Sequence, residues 1–115
     1  MKTTDIRDLV GFSPDGPARR DLFETDHLWS EVICLEETQR LGPIGDPESD
    51  AIVVVLAGEV AAQVGKGRAR MRQWGSVSVA AGDDVTLANA SAEPAVVLVV
   101  VAPPPKPRLA GVDDD

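Results

Sequence analysis

Tyrosine is missing from this sequence, and histidine and cysteine occur once each, as His27 and Cys34. A metal site made of imidazole and thiolate needs several such ligands, so one chain cannot complete it. A lone cysteine likewise excludes an intramolecular disulfide. The aromatic residues are Phe12, Phe23, Trp29 and Trp74, too few for the platforms on which single-stranded nucleic acid stacks. Bases are scarce as well. Eleven Lys and Arg against nineteen Asp and Glu give a formal charge of −8, which repels phosphate backbones and anionic lipid surfaces. Neither nucleic acid nor a membrane is therefore an expected partner. Long apolar runs are absent too: the longest, Ala95–Ala102, has eight residues, against the roughly 20 of a membrane-spanning helix. Met1–Val10 has no continuous apolar segment, so no secretory leader is expected. With the single unpaired thiol, this indicates a cytoplasmic protein.

What remains is an ordinary composition for a folded domain. Of 115 residues, 43% are hydrophobic and 26% charged, enough to build one core. The opening residues predict a short helix, with Thr3 or Thr4 as cap, Asp5 in the first turn and Gly11 as its stop. Everything after Pro14, Gly16 and Pro17 reads as strand or turn. Ala18–Glu24 and His27–Glu37 are extended, and in the latter neither alternating face is polar. Such a strand is covered on both sides or contacts a second copy. Leu41–Asp50, rich in Gly, Pro, Asp and Ser, reads as a loop. The β-branched run Ile52–Leu56 then suits a buried strand.

Glu59–Val64 and Gly67–Arg72 flank Gly65-Lys66, a two-residue hairpin loop with glycine first. Setting Val64 opposite Gly67 places Val60 against Met71 and Ala62 against Ala69 on one face. The other face receives Glu59 against Arg72, Ala61 against Arg70 and Gln63 against Arg68. Apolar and polar residues separate, as a correct register requires. Short strands at Ser76–Ala80, Val85–Ala88 and Ala95–Ala102 follow, separated by turns. The pattern is that of an antiparallel sandwich or barrel. A helix and turn over 1–14, a barrel over 15–102 and a Pro-rich, acidic tail over 103–115 are the expected parts.

From Asp50 to Pro103 the chain resembles the cupin family of double-stranded β-helix, or jelly-roll, barrels. The likeness rests on Leu56, Gly58 and Glu59 at a strand end and on the hairpin running to Gly75. The V-x-V-x-A-G step through Gly82, Asn89 and the Glu-Pro before the last strand complete it. The resemblance implies an all-β barrel and, in most members, a metal held by three histidines and a glutamate. Here the corresponding positions fall on Ile44 and Asp46 (or one residue either side), on Asp50 or Ala51, and on Val85. No histidine stands at any of them, so no metal and no cofactor is expected.

The reading is a metal-independent barrel that binds a small molecule or acts as an interaction module, leaning against catalysis, and forming a homodimer. Val53, Val55, Val85 and Trp74, with Ala62, Val79 and Val97, are the expected pocket lining. The alternative is an enzyme using His27 with a carboxylate such as Glu31, or a weak divalent-metal site at Asp46 and Asp50. Asp46, Glu48 and Asp50 alternate, and an extended backbone would project all three to one side. Arg68, Arg70 and Arg72 form a basic stripe that either grips an anion or simply guards an edge strand. Cys34 reads as a buried inert thiol, and Asp113–Asp115 as a solubilising end.

Overall fold

The computed structural model describes residues 1–105. Nine strands follow a short 3-10 helix, Ile6–Leu9. They are β1 (Ala18–Glu24), β2 (Trp29–Leu35), β3 (Arg40–Gly45), β4 (Asp50–Ala57) and β5 (Glu59–Val64). β6 (Gly67–Arg72), β7 (Ser76–Val79), β8 (Asp84–Asn89) and β9 (Ala95–Ala102) complete the set. Two antiparallel sheets result, one ordered β1-β2-β9-β4-β7 and the other β3-β8-β5-β6. Non-consecutive strands lie side by side in both sheets, which is the double-stranded β-helix arrangement expected from the sequence.

Alternation decides what each sheet buries. Val53 and Val55 on β4 and Val97, Val99 and Val101 on β9 face inward, where they meet Val60, Met71, Val85 and Leu87 from the opposite sheet. Each such side chain contributes about 1.5–3 kcal/mol by leaving water. The β5–β6 pairing has the register derived above, Val60 with Met71 and Val64 with Gly67. Gly65 at the loop has φ +58°, the left-handed conformation that glycine adopts without strain.

β2 is buried along its whole length. Trp29, Ile33 and Leu35 enter the inner core. Val32 and Cys34, pointing the other way, join Val96 in a second cluster covered by Ile6, Leu9 and Phe12. The chain's own N-terminal segment is thus the second cover that the two-faced pattern of β2 called for.

Three expectations are corrected. The predicted helix is a single 3-10 turn, capped by Asp5 rather than Thr3 or Thr4: Asp5 Oδ1 accepts the Arg7 amide at 3.0 Å, and Val10 is already extended. Secondly, β2 starts at Trp29, not His27. The Thr25 hydroxyl accepts the amides of His27 and Leu28, both at 3.1 Å, and holds both residues in the β1–β2 turn. Thirdly, Arg40–Gly45 is a strand inside the expected loop. It pairs with β8 across a register shift between Leu41 and Ile44 that absorbs Gly42 and Pro43. Position 42 has φ +126°, and a Cβ there would meet the Val85 carbonyl oxygen at 2.7 Å. What looked like a turn glycine is one that lets two strands approach. β3 lies at a sheet edge, where proline removes no shared donor. The proposed tail begins at Pro103, and Asp113–Asp115 lie outside the described residues.

Candidate functional site

The ends of β3, β4 and β8 meet at one end of the barrel, and they carry the positions at which the resemblance put metal ligands. Ile44 on β3 pairs with Val85 on β8, and Ala51 on β4 pairs with Val79 and Val101. Together with Asp46 and Ser49 these residues border a void of about 10 Å3, space for one water. Ile44 and Val85 are buried and apolar. The residues at these positions are brought together as the family pattern requires, but as core packing. They offer no imidazole, and among the described residues no group of three His, Cys, Asp or Glu side chains is placed to hold a metal.

The carboxylates of this end have other partners. Asp46 Oδ2 accepts the Glu48 amide at 2.9 Å and lies 3.0 Å from the Ser49 hydroxyl, which also reaches the Pro103 carbonyl at 2.6 Å. Asp50 Oδ1 accepts the Ala81 amide at 2.9 Å. Residues 47 and 48 form a turn, so Asp46, Glu48 and Asp50 are not the one-sided row that an extended backbone would give. Asp46 and Asp50 brace separate loops. Outside them lies an open cleft of about 630 Å3 walled by Glu24, Asp26, Asp46 and Glu48, with Pro103 and Pro104. Its four acids make this end electronegative.

His27 is exposed, and its ring enters no hydrogen bond or ion pair among the described residues. Glu31 is not its partner: it points into the barrel, almost fully buried, and its carboxylate receives Arg19 Nε at 2.8 Å and Nη2 at 2.6 Å. Beside this two-pronged contact the Trp29 indole donates to Asp21 at 3.2 Å. Sequence reading missed the Arg19–Glu31 pair. Its signal was present in the position of Glu31 between Trp29 and Ile33 on an inward face, which demands a cation from the adjoining strand.

Among the described residues, the expected pocket lining is spread through the packed core and the exposed β6–β7 corner. Val53, Val55 and Val97 are fully buried within the packed core, Ala62 and Val79 belong to the same cluster, and Val85 faces only the water-sized void. Trp74 was expected to close one end of the barrel. Instead it is 72% exposed at the β6–β7 corner with φ +76°, held there because its amide donates to the Val55 carbonyl at 2.8 Å. Cys34 is buried, as expected. Arg68, Arg70 and Arg72 are exposed on β6. Arg70 is paired with Glu59 and donates to the Ala90 carbonyl at 2.7 Å, so the acid opposite Arg72 in register serves the diagonal neighbour instead.

Among the described residues, no helix is long and apolar enough to cross a membrane. No family model and no curated protein matches the chain. Solved structures do. A protein from Thermus thermophilus shares 28% identity at a TM-score of 0.84, over 90% of this chain and 98% of its own. An uncharacterised Klebsiella pneumoniae protein with a double-stranded β-helix domain shares 21% at 0.83, over 90% of each chain. An RmlC-like cupin protein from Desulfovibrio desulfuricans shares 18% at 0.77, over 90% of this chain and 97% of its own.

Proposed function

The chain has the cupin double-stranded β-helix fold, and from that premise we propose that it is a metal-independent, non-catalytic binding and interaction module of the cytoplasm. One observation carries this reading. Of the positions that would ligate a metal, Ile44, Ala51 and Val85 pack around a single-water void, Asp46 is braced by its own loop, and Asp50, the alternative to Ala51, is turned to the Ala81 amide. Apolar side chains supply no ligand atoms, and one carboxylate suits neither the geometry nor the softness of a transition-metal site. The filled interior also moves any ligand to the outside of the barrel. Acid–base catalysis by His27 with Glu31 has no geometric support, because Glu31 is engaged by Arg19 and the His27 ring meets no carboxylate within hydrogen-bond distance among the described residues.

Metal analysis of protein purified without an affinity tag tests the reading. Substoichiometric manganese, iron, nickel and zinc are expected. One equivalent of any of them, retained through dialysis and lost in an Asp46→Ala variant that keeps the wild-type amide spectrum, overturns it.

Self-association is part of the same reading. On the outer face of β4 and β9, Ile52 pairs with Val100 and Val54 with Leu98. Ile52 is 49% exposed. On β7 Ser78 stands opposite Ile52 and Ser76 opposite Val54. Asp50 at the end of the same face accepts the Ala81 amide, so two strongly acidic copies can meet on the middle of this face without opposing carboxylates there. A two-fold dimer needs only one such self-complementary patch. Sedimentation of the wild type as a dimer, converted to monomer by Ile52→Asp, is the expected result. A wild-type monomer at high micromolar concentration overturns the dimer.

A further inference from the structure

The outer face of the four-stranded sheet gathers positive charge on a strongly negative protein. Side chains alternate along each strand, so when Leu41, Ala62, Met71 and Leu87 face the core, their neighbours in sequence face outward. Register then sets Arg40 beside Ala88, Ala88 beside Ala61 and Ala61 beside Arg70, in one row crossing the sheet. That row spans about 14 Å at the usual strand spacing. The next row is Thr86, Gln63 and Arg68. Four of the chain's eleven basic residues, Arg40, Arg68, Arg70 and Arg72, stand on this face. Its acids are Glu59, taken up by Arg70, and Asp84 at the far end beside Gly45.

The small residues in the middle leave a depression. A cleft of about 200 Å3 lies between Arg40 and Arg68, with Ala61 and Ala88 in its floor and Thr86 and Gln63 in its wall. Among the described residues neither guanidinium makes a hydrogen bond or an ion pair. Two forked donors therefore face each other across a short apolar floor, each able to take a carboxylate through two parallel hydrogen bonds. The rest of the surface, including the acidic cleft at the barrel end, repels the same ligand.

We propose that this cleft binds a small organic dianion, with one acidic group on Arg40, the other on Arg68 and an apolar middle over Ala61 and Ala88. A linear dicarboxylate is the simplest member of the class. The site rests on the chain being a binding module, but the two readings fail separately, since the metal test does not involve this face.

Calorimetric and NMR titration of the whole chain at low salt provides the test, with glutarate, adipate and suberate as probes and butyrate as the single-charge control. Saturable binding of at least one dicarboxylate is expected, with amide shifts confined to β3, β5, β6 and β8. Arg40→Gln and Arg68→Gln should each weaken it by about tenfold, as loss of a charge-assisted contact does. Arg72→Gln, outside the cleft on the same strand, should change it by less than about twofold, the effect of a distant screened charge. All three side chains are exposed, and unchanged amide spectra elsewhere confirm that each variant is folded. Butyrate binding as tightly as the dicarboxylates overturns the two-point site. So does Arg72→Gln matching Arg68→Gln, which shows diffuse surface charge only, or absence of saturable binding by every probe.

Discussion

The two sheets share one core and differ in their outer faces. Behind the five-stranded sheet, Val32, Cys34 and Val96 are sealed by Ile6, Leu9 and Phe12, and Ile52, Val54, Leu98 and Val100 continue the apolar surface beyond that cover. Behind the four-stranded sheet there is no cover among the described residues. Its outer residues are alanine, threonine, glutamine and arginine with the acids Glu59 and Asp84, and the surface is wet. One sheet has an outer face that is apolar and covered over β2, the other an outer face that is predominantly polar, although both contribute to the same barrel interior. The difference separates two kinds of sheet surface: one apolar and partly covered by the chain's own N-terminal segment, the other polar and open to solvent.

The largest predicted effect concerns the five-stranded sheet. Glu31→Gln removes the charged, buried half of the Arg19–Glu31 pair, at a site only 20% open on the arginine side and 2% on the glutamate side. A loss of about 3 kcal/mol in urea unfolding is expected, at the low end for breaking a buried pair because Arg19 keeps some water. The double change Arg19→Met with Glu31→Leu should recover most of it, since no isolated charge remains. If the double variant is as unstable as the single one, the pair contributes through shape instead of charge.

Next comes the cover. Phe12 is half-buried against the second cluster, so Phe12→Ala should cost about 1–2 kcal/mol, part of the full value for an aromatic. Hydrogen exchange should quicken at residues 6–12, while the inner strands β4 and β9 keep their protection. Uniform loss of protection would show that the cover and barrel unfold as one unit.

On the wet sheet the effects should be small. Glu59→Gln removes the half-buried partner of the exposed Arg70 and should change stability by less than about 1 kcal/mol, as surface pairs do. The smallest effect is at Asp5. The Arg7 side chain, and then the Arg7 amide, hold its carboxyl below the ordinary value. A depressed value stabilises the fold above the ordinary carboxylate range, and the contribution disappears as pH falls through the lowered one. Asp5→Asn should therefore lower stability slightly at neutral pH and flatten the acid limb, with the two curves converging below the lowered value. The Asp5 carboxyl carbon, followed by NMR, should titrate below the ordinary aspartate value.

The same division explains how much was legible in the sequence. Where a strand is dry on one side and wet on the other, its period of two is visible, and the β5–β6 register followed from Val60, Ala62 and Met71 alternating with Gln63, Arg68 and Arg70. In β2 both faces are dry, so the need for a cover was visible but not its source, because Ile6, Leu9 and Phe12 lie in no periodic element. β3 was invisible. Gly42 and Pro43 carry turn chemistry, and only the close approach of the Val85 carbonyl makes that glycine a strand residue. This hid Arg40, and with it the second wall of the anion cleft. The candidate site fared worse than the fold. The ligand positions at Ile44 and Asp46, at Asp50 or Ala51, and at Val85 could be assigned by resemblance, but no local pattern says whether a barrel interior is open or filled.

The place of β9 has a kinetic meaning. This strand is the last of the nine, yet it lies between β2 and β4 in the middle of the five-stranded sheet, with Trp29 opposite Val101 and Val53 opposite Val99. Until Ala95–Ala102 has been synthesised, β2 and β4 have no strand to join them and each exposes an unpaired edge. Hairpins such as β5–β6 can form early from neighbouring residues, but the sheet that seals the core waits for distant ones. Folding should accordingly be slow for the chain's size, as pairings of high sequence separation are. On the ribosome the nascent chain stays open, with β-branched edges available to chaperones or to one another, until nearly the whole barrel has emerged.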